Sequence, residues 1–451
     1  MGIRMIKDKN FYKQFLKICI VLVMQNVLTL SVNLADNVML GNYSESALSG
    51  ATAVNQIQFV FQQMILGVGD ALVIFGSQYW GKKQTAEIKR IASVAMISGV
   101  VVITTFFMTA TFAPTFLMKL FTNDALIIAE GVKYIGITRF TYIFLGIVLI
   151  LLATLRTVEI VKIAFVLSAS TLVINCSINW VLIAGRYGFP ELGIIGAGIG
   201  TITARIIELI ILIVFIMKKD NILKLRLKDF FVIDRGLAKT YYKLLWPVLF
   251  AAILWGVNTA MQTAILGHMS SNAIAANSVA ANLFLLVKTG AIGAASTTTI
   301  MIGKAIGEGR SSQLQSYANT FQKMFLMIGV VCSIVLMMLV QPVLSLYSLS
   351  EETRYLAQQF LVILSVTMFF MSYQMPTNIG IIRGAGDTKY MMYLDTISIC
   401  LIVLPLAFFM AFVVEASPVI VVICLNIDQV FKCIPAYVKV NHGKWIHKLV
   451  E

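Results

Sequence analysis

Charge is what this chain lacks. Only 12% of its 451 residues are Asp, Glu, Lys or Arg, about half the share of a soluble domain, while 59% are hydrophobic. So little polar surface cannot cover a water-soluble core of this size, which excludes a soluble enzyme, a secreted scaffold and a disordered protein. Histidine is scarce as well: His268, His442 and His447 are scattered and offer no metal site. Cys19, Cys176, Cys332, Cys400, Cys424 and Cys433 fall in apolar segments without paired spacing, and read as small buried packing residues. There is no Gly-rich phosphate loop with its Lys-Ser/Thr, no paired His and no nucleophile elbow, so catalytic residues are not expected. A nucleotide-binding domain has no segment to occupy, which leaves an ion gradient or a partner as the energy source and no cofactor expected beyond a coupling ion. The polytopic membrane class remains.

Uncharged runs such as 46–69, 91–118 and 244–287 are long enough to span a bilayer, the last one twice. Hydropathy places twelve spans near 15–40, 52–78, 91–114, 127–153, 163–185, 193–217, 244–267, 277–301, 319–341, 355–381, 391–413 and 418–437. Most Lys and Arg then fall on one side. They include Arg4 to Lys17, Lys82 to Arg90, Arg156 and Lys162, the segment 218–243, Lys304 and Arg310, Arg383 and Lys389, and Lys439 to Lys448. The opposite side receives Lys119, Arg186 and Arg354. This positive-inside bias puts both termini in the cytoplasm of a multi-pass cell-membrane protein. The net charge of +14 thus reports topology and contact with an anionic inner leaflet rather than nucleic-acid binding. The amino-terminal apolar run is too long for a signal core, contains Asp36 and has no small-residue cleavage site, so it reads as a retained first span.

The basic stretch at 218–243 lies at the midpoint. Sliding one half over the other sets Gly41 on Gly267, Ala47 on Ala273, Gly67 on Gly293 and Gly81 on Gly307. A slide one residue longer sets Arg156 on Arg383 and Lys162 on Lys389. The expected fold is all-α, twelve transmembrane helices in two six-helix lobes related by a pseudo-two-fold axis along the membrane normal. The lobes are residues 1–217 and 244–451, joined by a cytoplasmic linker at 218–243, and a monomer is expected.

Polar residues inside apolar spans should face the bundle or a wet cavity. Gln25, Thr29, Asn33 and Asp36 share one face of the first span. Asp36 is its only acid, at an insertion cost of about 2.5–3.5 kcal/mol. Thr171, Asn175 and Asn179 form a second stripe in span 5. Carboxylate and amide oxygens suit a small cation, a lone carboxyl suits a proton, and hydrogen bonding within the bundle is the plain structural alternative. A substrate cavity is assigned to Gln25, Asn33, Gln62, Trp255, Asn258, Gln262, Lys288 and Gln374. With 22 Met residues as adaptable apolar surface, such a cavity suits varied amphipathic molecules. For each of these residues an interhelical hydrogen bond is the plainer reading. Arg205 and Glu208 read as a structural pair. Glu159–Lys162 and Asp387–Lys389 read as solvated turns near lipid headgroups. Asp395 and Asp428 read as isolated acids, either of them a possible second titrating site.

Several stretches resemble the multidrug and toxic compound extrusion (MATE) transporters. They are Ala35-Asp36-Asn37-Val38-Met39-Leu40-Gly41, Gln78-Tyr79-Trp80-Gly81-Lys82-Lys83, and Asn175-Cys176-Ser177-Ile178-Asn179-Trp180. The run from Gly188 to Thr201 and the turn Arg383-Gly384-Ala385-Gly386-Asp387-Thr388-Lys389 complete the set. The resemblance runs from about residue 15 to 437. It implies a cation-coupled antiporter exporting amphipathic, often cationic, drugs and toxic compounds. It also implies that Asp36 is the coupling acid, with Asn175, Asn179 and Thr201 completing a cation site open to H+ or Na+. The chain departs from relatives that carry acids at the positions of Asn179, Trp255 and Met371. Two rival readings are a flippase for lipid-linked saccharides and, more remotely, a membrane-embedded polyprenyl transferase. The latter would need an acidic metal-binding pair, and Glu351-Glu352, the only adjacent acids, fall on the outer side.

Overall fold

Because a bilayer core offers no water to backbone N–H and C=O groups, apolar runs of this length must close their hydrogen bonds within helices. The computed structural model describes residues 5–122, 124–310, 312–345, 347 and 349–450, apart from the Phe231 side chain. Arg4, one of the amino-terminal cations, lies outside them. Among the described residues the chain is helical throughout, with no strand, and eleven helices are long and apolar enough to cross a membrane. A bent pair makes a twelfth. In chain order they are α1 (Lys9–Gly41), α2 (Glu45–Gly81), α3 (Thr85–Phe112), α4 (Ala125–Thr138 with Thr141–Thr157), α5 (Lys162–Leu182) and α6 (Ile194–Lys219). Then follow α7 (Arg235–Met269), α8 (Ser271–Gly307), α9 (Leu314–Leu344), α10 (Glu351–Arg383), α11 (Thr388–Phe412) and α12 (Pro418–His442). The all-helical, twelve-span class expected from hydropathy is the one observed.

Side-chain oxygens set several helix starts by accepting otherwise unpaired backbone N–H groups. Asp124 Oδ1 caps α4 through Leu126 N at 2.8 Å, and Ser270 Oγ caps α8 through Ala273 N at 3.0 Å. The helices outrun the hydropathy windows. In particular, α7 starts at Arg235, inside the stretch expected to be linker. The fourth span is not one rod: it bends by 52° between Thr138 and Thr141. There the Thr138 hydroxyl donates to Tyr134 O and the Thr141 hydroxyl to Thr138 O, back-bonds of the kind that bend helices.

The chain forms two compact units. One comprises Met24–Gly76 and Lys83–Leu245, and its core includes Phe61, Phe106 and Tyr142, with Phe61 and Tyr142 ring centroids 4.8 Å apart. The other comprises Met1–Val23, Ser77–Lys82 and Trp246–Glu451. Here Phe11 and Phe15 of early α1 pack on Phe321 of α9, and Phe321 stacks on Phe325. The segment at the end of α2 enters this second unit through a close backbone approach, since a Cβ at Gly307 would run into the Gln78 carbonyl. Gln78 also donates to His447 O at 3.1 Å and accepts from Leu449 N at 2.8 Å.

Three expectations need correction. Asp387 is not a solvated turn residue: it caps α11 through Tyr390 N and meets Lys439 Nζ at 2.8 Å and His447 Nε2 at 3.3 Å. Asp395 and Asp428 are not isolated, because Lys432 lies between them. Cys400 is exposed rather than buried, on an outward face of α11, and Cys176 and Cys433 are only partly buried; all six cysteines are free.

Candidate functional site

In the unit that holds α5 and α6, Thr171, Asn175 and Asn179 keep their shared face and are all buried. Asp36 of α1 is 6% exposed. Asn179 Nδ2 donates to Asp36 Oδ1 at 2.6 Å and, more weakly, to Asn175 Oδ1 at 3.3 Å. Asn175 Nδ2 in turn donates to Thr201 Oγ1 at 3.3 Å, and the Thr201 hydroxyl donates to Ala197 O at 2.9 Å. The sequence thus places a carboxylate and three polar side chains from three helices in one chain of hydrogen bonds. Gly200 makes the approach of α5 to α6 possible, because a Cβ there would collide with Asn179 Oδ1.

That oxygen is one of the site's unmet acceptors: Asn179 Oδ1 and the Thr171 hydroxyl are buried with no hydrogen-bond partner. The orphaned Asn179 oxygen beside the carboxylate is a hard donor of the type that holds small cations, and a dry carboxylate also accepts a proton. Tyr134 of α4, fully buried, turns its hydroxyl toward Thr201 and feels the charge of Asp36. The Arg205–Glu208 pair is present at 2.7 Å, and the Arg205 charge also reaches Asp36. Neither Tyr134 nor this second role of Arg205 was expected.

The residues assigned to a substrate cavity divide between the units. Gln25, Asn33 and Gln62 lie with α1 and α2; Asn33 is exposed and the other two are partly buried. Among the described residues none of the three makes a side-chain hydrogen bond, and the same holds for Gln262. In the other unit Lys288 and Trp255 do come together, Nζ 4.9 Å from the ring centroid. Asn258 is buried with its Oδ1 unpartnered. Gln374 belongs to a buried chain: Asn378 Nδ2 donates to Gln374 Oε1 at 3.0 Å, Gln374 Nε2 to Gln429 Oε1 at 2.8 Å, and Gln429 Nε2 to Asp428 Oδ1 at 2.8 Å. Lys432 Nζ then reaches Asp428 Oδ2 and Asp395 Oδ1, each at 3.0 Å. The four-residue spacing from Asp428 to Lys432 is the sequence signal that would have exposed this pair.

Known proteins place the chain further. The MatE family model matches residues 22–181 and 247–409. A probable multidrug resistance protein NorM from Thermotoga maritima is 23% identical over 451 residues, covering 97% of this chain and 94% of its own. Another from Photorhabdus laumondii is 26% identical over 417 residues, covering 88% and 87%. A solved MATE in complex with MaL6 has a TM-score of 0.86 over 95% of each chain at 16% identity, a likeness of fold. Since the matched stretches take in both series of spans and the shared fold runs almost end to end, the chain belongs to the MatE family of membrane transporters, which are not enzymes.

Proposed function

We propose that the protein is a secondary active antiporter, exporting amphipathic or cationic drugs and toxic compounds from the cell in exchange for H+ or Na+, with Asp36 as the coupling acid. The names of the NorM relatives, probable multidrug resistance proteins, support drug export. The observation that carries the coupling role is the buried Asp36 carboxylate, held at 2.6 Å by Asn179, whose own Oδ1 is unpartnered. Asp36, Asn175, Asn179 and Thr201 form the cation site; a proton would sit on Asp36 itself, and Na+ would recruit the amide and hydroxyl oxygens.

The sign of the coupling follows from charge. With Asp36 ionised, Asn179 holds α1 against α5, and the α5–α6 link through Asn175 and Thr201 stays in register. Neutralising the carboxylate weakens that charge-assisted bond, so α1 shifts against α5 and α6 and the two halves rock from one access state to the other. Substrate loses affinity in the neutralised state, because a ligand shifts an equilibrium only by its differential affinity. The basic loops mark the cytoplasmic side, so an inward cation gains about 2.3 kcal/mol per 100 mV of potential.

Dye accumulation in everted vesicles, driven by separately imposed H+ and Na+ gradients, tests the proposal. Wild type should export with one of the two gradients, and Asp36→Asn should lose at least ten-fold in rate while still reaching the membrane. Gradient-driven accumulation retained in Asp36→Asn overturns the coupling role.

A further inference from the structure

Lys288 sits in the middle of α8 and is 8% exposed, yet among the described residues its ammonium makes no hydrogen bond and no ion pair. Its contact is with the face of Trp255, 4.9 Å from the ring centroid. The charges that reach it are Asp428, attractively, and Lys432, repulsively. Asp428 is already engaged, with Oδ2 on Lys432 at 3.0 Å and Oδ1 accepting from Gln429 at 2.8 Å. Asp395 holds the same Lys432. Of the two buried ammoniums, then, Lys432 has its anions and Lys288 has none in contact. An unpaired cation inside a membrane span is costly and points to a partner that comes and goes.

The surroundings say what that partner is. Trp255, whose ring face meets the ammonium, is only partly buried. Asn258, three residues along the same face of α7, is buried with its Oδ1 unpartnered and is placed to accept an N–H or O–H. We infer that Lys288, Trp255 and Asn258 form a subsite for an aromatic amphipathic compound that carries a carboxylate. The ammonium takes the carboxylate, the indole stacks on the aromatic part, and Asn258 accepts a donor of the same ligand. The inference rests on the reading that amphipathic compounds are the substrates, and it sharpens their class: zwitterionic or acidic rather than purely cationic.

The experiment uses the full chain purified in detergent, with no gradient, and fluorescence polarisation of two probes. Rhodamine 19 carries a free carboxylate, and rhodamine 6G is its ethyl ester. Wild type should bind the acid at least ten-fold tighter than the ester. Lys288→Met should abolish that preference, and Lys288→Arg should retain most of it. Equal or weaker binding of the acid by wild type, or no binding of the acid, overturns the inference. So does a preference that survives in Lys288→Met. Should Lys288→Met not fold, the wild-type comparison and Lys288→Arg still decide. A failure of ion-driven efflux would leave the acid preference readable, and loss of the preference with efflux intact would overturn this subsite alone.

Discussion

Asn179 does more in the site than a neutral amide in an apolar run suggests. It donates to Asp36 and Asn175 at once, while its Oδ1 rests against the bare Cα of Gly200. Gly200→Ala therefore forces the amide away from the carboxylate. Overpacking of this kind costs about 1–3 kcal/mol, and thermal unfolding of the purified protein should show it together with slowed efflux. Gly136→Ala is the control: a Cβ there meets nothing within 4 Å, and the gain in helix propensity should leave stability unchanged or raised by about 0.5–1 kcal/mol. An unaffected Gly200→Ala would show that the close contact does not position Asn179. Asp36, Asn175 and Asn179 were legible because helical spacing puts polar residues on one face. Thr201 entered only through family resemblance, since a lone Thr in an apolar helix carries no pattern. Tyr134 had no signal at all, for its role depends on which helices α4 packs against.

Among the elements, α11 and α12 are joined by an arrangement that single spans do not reveal. Lys432 of α12 binds Asp428 one turn back on its own helix and Asp395 of α11. Replacing a buried ion pair by apolar groups is often neutral, whereas removing one partner strands a charge at about 3–5 kcal/mol. Lys432→Met should accordingly lose that much stability in chemical unfolding. Adding Asp395→Asn and Asp428→Asn to it should restore most of the loss. If the triple variant is no more stable than Lys432→Met, the damage lies in packing and not in stranded charge. Reading Asp395 and Asp428 as isolated acids went wrong for a physical reason. A polar stripe within one span shows only half of this partnership, because Asp395 meets Lys432 across a helix pair. The bend in α4 escaped similarly, because an apolar window does not register Thr hydroxyls turned back onto the helix carbonyls.

For the whole molecule, the sparse charge that excludes a water-soluble fold also made the spans legible, since the basic clusters between spans mark where the chain leaves the bilayer, while Arg205–Glu208 and Lys432 with its acids stay inside. The membership of the compact units was less legible. The first part of α1 is continuous with the helix that carries Asp36, yet Phe11 and Phe15 pack with Phe321 of α9. Aromatic packing between segments so distant in sequence has no periodic signature. The same scale holds the central claim, that cation and substrate compete through Asp36. The most direct measurement is cation release when substrate binds, read in weakly buffered detergent solution with a pH indicator and a Na+ electrode. The account predicts about one H+ or one Na+ released per substrate bound by wild type, and none from Asp36→Asn. Substrate binding that displaces no cation from wild type, or an equal release from Asp36→Asn, would contradict it.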